Sequence, residues 1–260
     1  GAGRGQGRPV LGVDERGGRQ QIPRPASYRP GRPAPWAHLP PEQRRPTLDD
    51  VRRALTDAPA PRPADTEHEG GRASAVLAPL YEADGEAHVV LTRRAQHLRS
   101  HRGEVSFPGG GQDPGEDLWA TALREAEEEV ALDPSTVTHI GELDHLRTVM
   151  SRSFIVPYVG TLPGPPELVA SPREVELVLH VPLSELLADG VFREERWGIP
   201  PQDRPIYFFE VVGDTIWGAT GAMLRNLLAI ITGTFDAAEP IMHWPLPGTP
   251  VPGVTPGAGG

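Results

Sequence analysis

The chain contains no cysteine, which excludes disulfides, thiolate nucleophiles and cysteine metal sites. It has no apolar run of about 18 residues, so no stretch reads as a membrane-spanning helix, and its N-terminus lacks the apolar core of a signal peptide. A positive balance is missing too. Lys and Arg number 25 against 35 Asp and Glu, a net charge of −10, which argues against broad binding to a nucleic-acid backbone. No internal repeat is evident. The expectation is a cytoplasmic protein whose partner is a small molecule rather than nucleic acid or membrane.

What is abundant is proline and glycine, 31 and 30 among 260 residues, with much of the excess at the two ends. Residues 1–46 hold GAGRGQGRP and PASYRPGRPAPWAHLPPEQRRP with little apolar periodicity, and read as a mobile or loosely docked extension. The tail, 236–260, has the same character from Pro245 onward. Residues 47–69 read as a short helix and a linker, with Thr47 as N-cap, Asp49 and Asp50 in the first turn, and APAPRP (58–63) following. Residues 70–235 remain as a domain long enough to bury a substantial core.

Within that domain, Ala73 to Tyr81 and Ala87 to Thr92 are apolar or β-branched runs separated by an Asp84-Gly85 turn, a hairpin signal. His101 to Phe107 is expected to be extended and to deliver the chain to Pro108-Gly109-Gly110-Gly111, which permits a tight, close-approaching loop rather than a regular element. Further strands are expected at Ile140–Thr148, Phe154–Val159, Glu174–Val181 and Tyr207–Val212. A short helix is expected near PLSELL, and a long apolar one over Ala219–Ile231. Strands with two main helices on opposite sides give an α/β sandwich.

The densest chemistry lies in GGQDPGEDLWATALREAEEEVAL, residues 110–132. At about 100° per residue, Leu118, Trp119, Ala122, Leu123, Ala126 and Val130 share one broad arc of a helix starting near Glu116, with Glu125 and Glu129 at its edge and Glu128 flanking them. Carboxylates that close repel one another, and a hard divalent cation with oxygen ligands would remove that cost. An acidic solvated face is the alternative. Just upstream, Arg93, Arg94, Arg99 and Arg102 with His97 and His101 form a basic segment, so an anionic substrate and a cation would meet between the two.

The spacing here resembles the Nudix box. Five residues separate Gly110 from Glu116 and seven separate Glu116 from Arg124-Glu125, and Glu128-Glu129 and Leu132 complete the pattern, with Ala131 in the place of the final Gly. The resemblance implies a Nudix-type α/β/α sandwich with a mixed sheet and a hydrolase acting on nucleoside diphosphates linked to another moiety, using Mg²⁺ or Mn²⁺. It makes Glu128 and Glu129 metal-ligand candidates, Glu125 a third ligand or a base, and the Gly110 carbonyl a further ligand. Arg124 would orient the glutamates, and Glu116 would pair with Arg124 or tie the loop to the helix.

LTRRAQHLRSHRGEVSFPGG, ahead of the box, is similar to the signature of coenzyme A pyrophosphatases. Leu91, Thr92, Arg94, Arg99, Gly103, Val105, Phe107, Pro108, Gly109 and Gly110 match it, while Val90 and Ala95 replace a Leu and a Ser. The SPREVELVLHVPL and ATGAMLRNLL stretches also resemble that subfamily. This implies cleavage of coenzyme A into 3',5'-ADP and 4'-phosphopantetheine, and it admits a homodimer. A broader nucleoside diphosphate hydrolase and a non-catalytic nucleotide-sensing module are the alternatives. Arg94, Arg99 and Arg102 are substrate-binding candidates, because arginine's rigid fork suits phosphate oxygens. For the general base, Glu125 competes with Glu174, which follows a flexible loop and either swings towards the water or pins that loop. His101 and His145 are further candidates for the same role.

Overall fold

The computed structural model describes residues 16–64, 70–148, 153–239 and 243–244. In chain order it begins with β1 (Arg29–Pro30), α1 (Leu48–Asp57), β2 (Arg72–Ala83), β3 (Glu86–Arg94), β4 (Val105–Ser106) and β5 (Gly109–Gly111). Next come α2 (Leu118–Val130), β6 (Thr138–Glu142), β7 (Leu146–Thr148), β8 (Ser153–Thr161), β9 (Val175–Pro182) and α3 (Leu183–Leu186). The last elements are β10 (Phe192–Trp197), β11 (Arg204–Val211), β12 (Asp214–Trp217), α4 (Gly218–Ile231) and β13 (His243–Trp244).

The β2–β3 hairpin forms the centre, turning at Asp84 and Gly85, both at positive φ, with Leu80 opposite Val89. β8 runs parallel to β2 along its whole length, and β9 lies antiparallel on the other side of β3, giving a mixed nine-stranded sheet. Its central strands are buried on both faces, which is why they read as near-continuous apolar runs. Ala78, Leu80, Val89 and Leu91 pack with α1 and α4. Ala75, Leu77, Tyr81 and Val90 pack with α2. Helices therefore cover both faces, and the expected α/β/α sandwich is the observed one. α1 starts where expected, with Thr47 and Asp50 in a reciprocal capping box.

Three details differ from the sequence expectation. Gly109–Gly111 is a strand, with Ala75 opposite Gly110 and Val76 opposite Gly109; backbone pairing to β2 outweighs the entropic cost of ordering three glycines. Ile140–Thr148 is two strands, interrupted at Leu143–His145. Of His101–Phe107, only Val105–Ser106 forms a strand, because His101 and Gly103 adopt positive φ in a turn.

The described part of the N-terminal extension is docked, not loose. Trp36 is 1% exposed, with its ring against Phe192 and Phe209 at 5.3 and 6.3 Å. β1 pairs with β10 in a second, four-stranded sheet, and Arg24 grips Glu195 through two guanidinium nitrogens. An irregular segment anchored by single side chains carries no period, so pattern reading passes over it.

Candidate active site

α2 is well started and abruptly stopped. The Asp117 carboxylate caps the amide of Ala120 at 2.8 Å, and Ala122, Ala126 and Val130 bury the apolar arc. At the other end Ala131 sits at φ 56°, ψ 33°, its amide donating to Glu127 at 2.9 Å. The left-handed conformation disfavours an alanine by about 1 kcal/mol. Ala131→Gly is therefore expected to raise stability by about 1 kcal/mol in urea unfolding without changing turnover. A lower midpoint would show that no strain is stored there.

Arg124 is the hub of the acidic face. Its guanidinium donates to both oxygens of Glu116 (2.9 and 3.2 Å), to Glu125 (2.8 Å), to Glu128 (3.3 Å) and to the Gly111 carbonyl (3.0 Å). These bonds and charges raise its pKa above the ordinary arginine value. The same guanidinium, with the Thr121 hydroxyl, holds Glu116 down at about 2. Glu116 thus fastens the loop after β5 to the helix, and Arg124 orients its glutamate neighbours.

Glu125 lies directly on β5. A Cβ at Gly110 would stand 2.5 Å from its carboxylate carbon, so only glycine lets the strand and the side chain meet. Burial raises the Glu125 pKa against the pull of Arg124. Glu129 is the more deeply placed, 8% exposed. Desolvation first, then the charges of Glu125 and Glu174, push it to about 8, with Arg94 and the Gly109 amide working the other way. Glu128 is largely exposed at the helix edge. Gly110→Ala should displace Glu125 and reduce turnover on the order of a hundredfold with the fold retained, since small misplacements at a reacting centre cost that much. Full activity in that variant would separate Glu125 from the chemistry.

Among the described residues, no three His, Asp or Glu side chains converge as a closed metal cage. The donor set nonetheless suits a hard divalent cation that keeps most of its waters. Glu129 is a carboxylate whose raised pKa comes first from burial and then from two like charges, and a cation there would offset both.

The other candidates divide. Arg94 lines a cleft of about 350 Å³ together with Gly109, Gly110 and His101, and its Nε donates to the Ser100 carbonyl at 3.1 Å. Arg102 lines a neighbouring hollow, and Arg99 is exposed. Glu174 is exposed, yet its charge bears on both Glu125 and Glu129, so the β9 approach brings it to the acidic face. Its loop is tied to α2, with Ser171 and Val169 amides donating to the carbonyls of Glu129 and Val130 at 2.8 and 3.0 Å. His101 pairs with Glu104 at 2.8 Å beside the cleft. His145 bonds Glu142 and lines a separate cavity. Leu91, Val105 and Phe107 of the upstream segment are core residues, so part of that signature is structural.

The cleft is also lined by Trp217, at the end of β12, and by Thr220 and Met223 of α4; the likeness of ATGAMLRNLL to the subfamily marks that stretch but gives these residues no site role. Glycines at 218 and 221 in an otherwise apolar helix were the available signal. Gly221 packs against the Tyr207 carbonyl, which draws the helix onto the second sheet.

The NUDIX domain family profile matches residues 71–201. Nudix hydrolase 3 of Caenorhabditis elegans is 35% identical over 185 residues, spanning 64% of this chain and 76% of its own length. NudL, a Nudix hydrolase of Photorhabdus laumondii, is 37% identical over 169 residues, spanning 64% and 89%. Among solved structures, a MutT/nudix family protein from Enterococcus faecalis is similar at 16% identity over 72% of this chain and 67% of that one, with a TM-score of 0.40.

Proposed function

The chain belongs to the Nudix hydrolase family, and from that premise we propose that it hydrolyses the diphosphate of coenzyme A and its derivatives to 3',5'-ADP and 4'-phosphopantetheine species. The observation that carries this reading is the cleft in which Arg94 faces the glycines of β5, with the acidic end of α2 behind them. The upstream segment similar to coenzyme A pyrophosphatases supplies that arginine.

Glu125, Glu128, Glu129 and the Gly110 carbonyl hold Mg²⁺ or Mn²⁺ in this reading. A bound cation supplies neutralisation of the diphosphate and acidification of water. Arg124 keeps the carboxylates aimed. Arg94, Arg99 and Arg102 draw in and orient the anionic substrate. Glu174 takes the proton of the attacking water, because Arg124 engages Glu125 but not Glu174. The water oxygen bonds to phosphorus, the bridging P–O bond breaks, and the departing phosphate keeps the electron pair. Residence in the cytoplasm and a homodimeric state belong to the same reading; among the described residues no helix is long and apolar enough to cross a membrane.

Purified protein with Mg²⁺ or Mn²⁺ and coenzyme A, NADH, ADP-ribose or dGTP, with products weighed by mass spectrometry, tests the substrate. Preferential release of 3',5'-ADP is expected. Faster cleavage of NADH or ADP-ribose would replace this substrate with a broader nucleoside diphosphate specificity. Inactivity on the whole panel with tight nucleotide binding would sink the enzymatic reading and favour a sensing module.

A further inference from the structure

Beyond the cleft, a larger hollow of about 970 Å³ opens beside the arginine-bearing turn. Arg19, Gln20, Arg93, Arg102, Gly103 and Asp214 are among its lining residues. His101 and Glu104 line both spaces, so the hollow begins where the cleft ends.

We propose that residues 17–21 complete a subsite for a phosphomonoester carried beyond the reacting diphosphate, with Arg19 and Arg102 as its cationic contacts and Gln20 as a positioning residue. The proposal rests on the diphosphate lying at Gly110 and Glu125.

The charge arrangement supports it. Arg93 is neutralised by Asp214 through bonds of 2.9 and 2.7 Å. Glu104 is taken by His101, and Glu176 accepts from Gln96 at 3.3 Å and stands 3.8 Å from Arg93. Among the described residues the acids of the hollow are thus engaged, whereas Arg19 and Arg102 are exposed and in no ion pair. Two uncommitted guanidinium groups lining one polar hollow fit phosphate oxygens.

Gln20 joins residues 17–21 to both the Gly103 turn and β12. Its amide nitrogen donates to the Gly103 carbonyl at 3.1 Å and to Asp214 at 2.8 Å, and its oxygen accepts from the Thr215 amide at 2.9 Å. The segment lies this close to β12 because Gly18 has no side chain: a Cβ there would stand 2.7 Å from the Asp214 Cα. One side chain therefore sets where the turn carrying Arg102 stands relative to β12.

Calorimetric titration of the full chain with 3',5'-ADP and with 5'-AMP tests the subsite. The wild type is expected to bind 3',5'-ADP about tenfold more tightly, as one charge-assisted contact set provides. Arg19→Ala and Arg102→Ala are each expected to lose most of that preference. Gln20→Ala should reduce it while leaving 5'-AMP affinity alone, whereas a merely structural role would weaken both nucleotides alike. No preference in the wild type, or parallel losses for both ligands in every variant, overturns the proposal. Turnover of coenzyme A without the preference would overturn the subsite alone, and the preference without turnover would overturn the substrate reading alone.

Discussion

Glu129→Gln is expected to lose turnover on the order of a thousandfold while making the metal-free protein more stable above neutral pH. The loss follows from removing a charged metal ligand, worth several kcal/mol in the transition state. The gain follows from burial. With its pKa raised to about 8, the folded protein keeps a proton at Glu129 that the unfolded chain releases near its ordinary value of 4.5. Stability from this group is therefore full below about 4.5 and falls as pH rises through 8. A neutral amide removes the fall. Mg²⁺ acts oppositely, since it binds the ionised form, so its stabilising effect on the wild type should be larger at pH 8 than at pH 6 and absent from the variant. Melting curves at the two pH values, with and without Mg²⁺, read this directly. Retained turnover, or a pH profile identical to the wild type, would remove Glu129 from the role.

Arg124→Ala is expected to lower turnover on the order of a hundredfold or more and to weaken metal binding. Without the guanidinium, Glu116, Glu125 and Glu128 lose their shared partner and the Gly111 carbonyl loses its donor. Arg124→Lys should recover little, because a point charge cannot span the positions that the fork reaches. The hold on Glu116 adds stability above its ordinary range, lost as pH falls towards about 2, so the variant should also unfold less steeply with acid. Steady-state kinetics across Mg²⁺ concentrations and acid titrations by circular dichroism measure both effects. Recovery of full activity by Lys would show that charge alone suffices.

The parts legible in the sequence were those with a period or a continuous apolar run. The acidic helix and α4 follow helical spacing, the central hairpin shows as two apolar runs about a turn, and each stands within a few residues of its expected bounds. Gly110 was legible as a ligand candidate, but not as the floor beneath Glu125, since that depends on β5 pairing with Ala75 across the sheet. β10 was missed because FREERW carries four charges, and its two glutamates are buried by pairing both with neighbours in the strand and with Arg24 and Arg32 of a distant segment. Trp36 and Gln20 were missed for a related reason: each is a single side chain acting through long-range contacts, and one residue leaves no period.

The two-residue strand β1 occupies the outer edge of β10, the position at which a sheet can recruit further chains. Pro30 pairs opposite Glu195 but has no amide hydrogen to offer on its own outer side. The extension therefore ends the sheet as well as docking on it. Without β1 the Glu195–Arg196 edge of β10 would be bare backbone, and self-association at high concentration is the expected symptom.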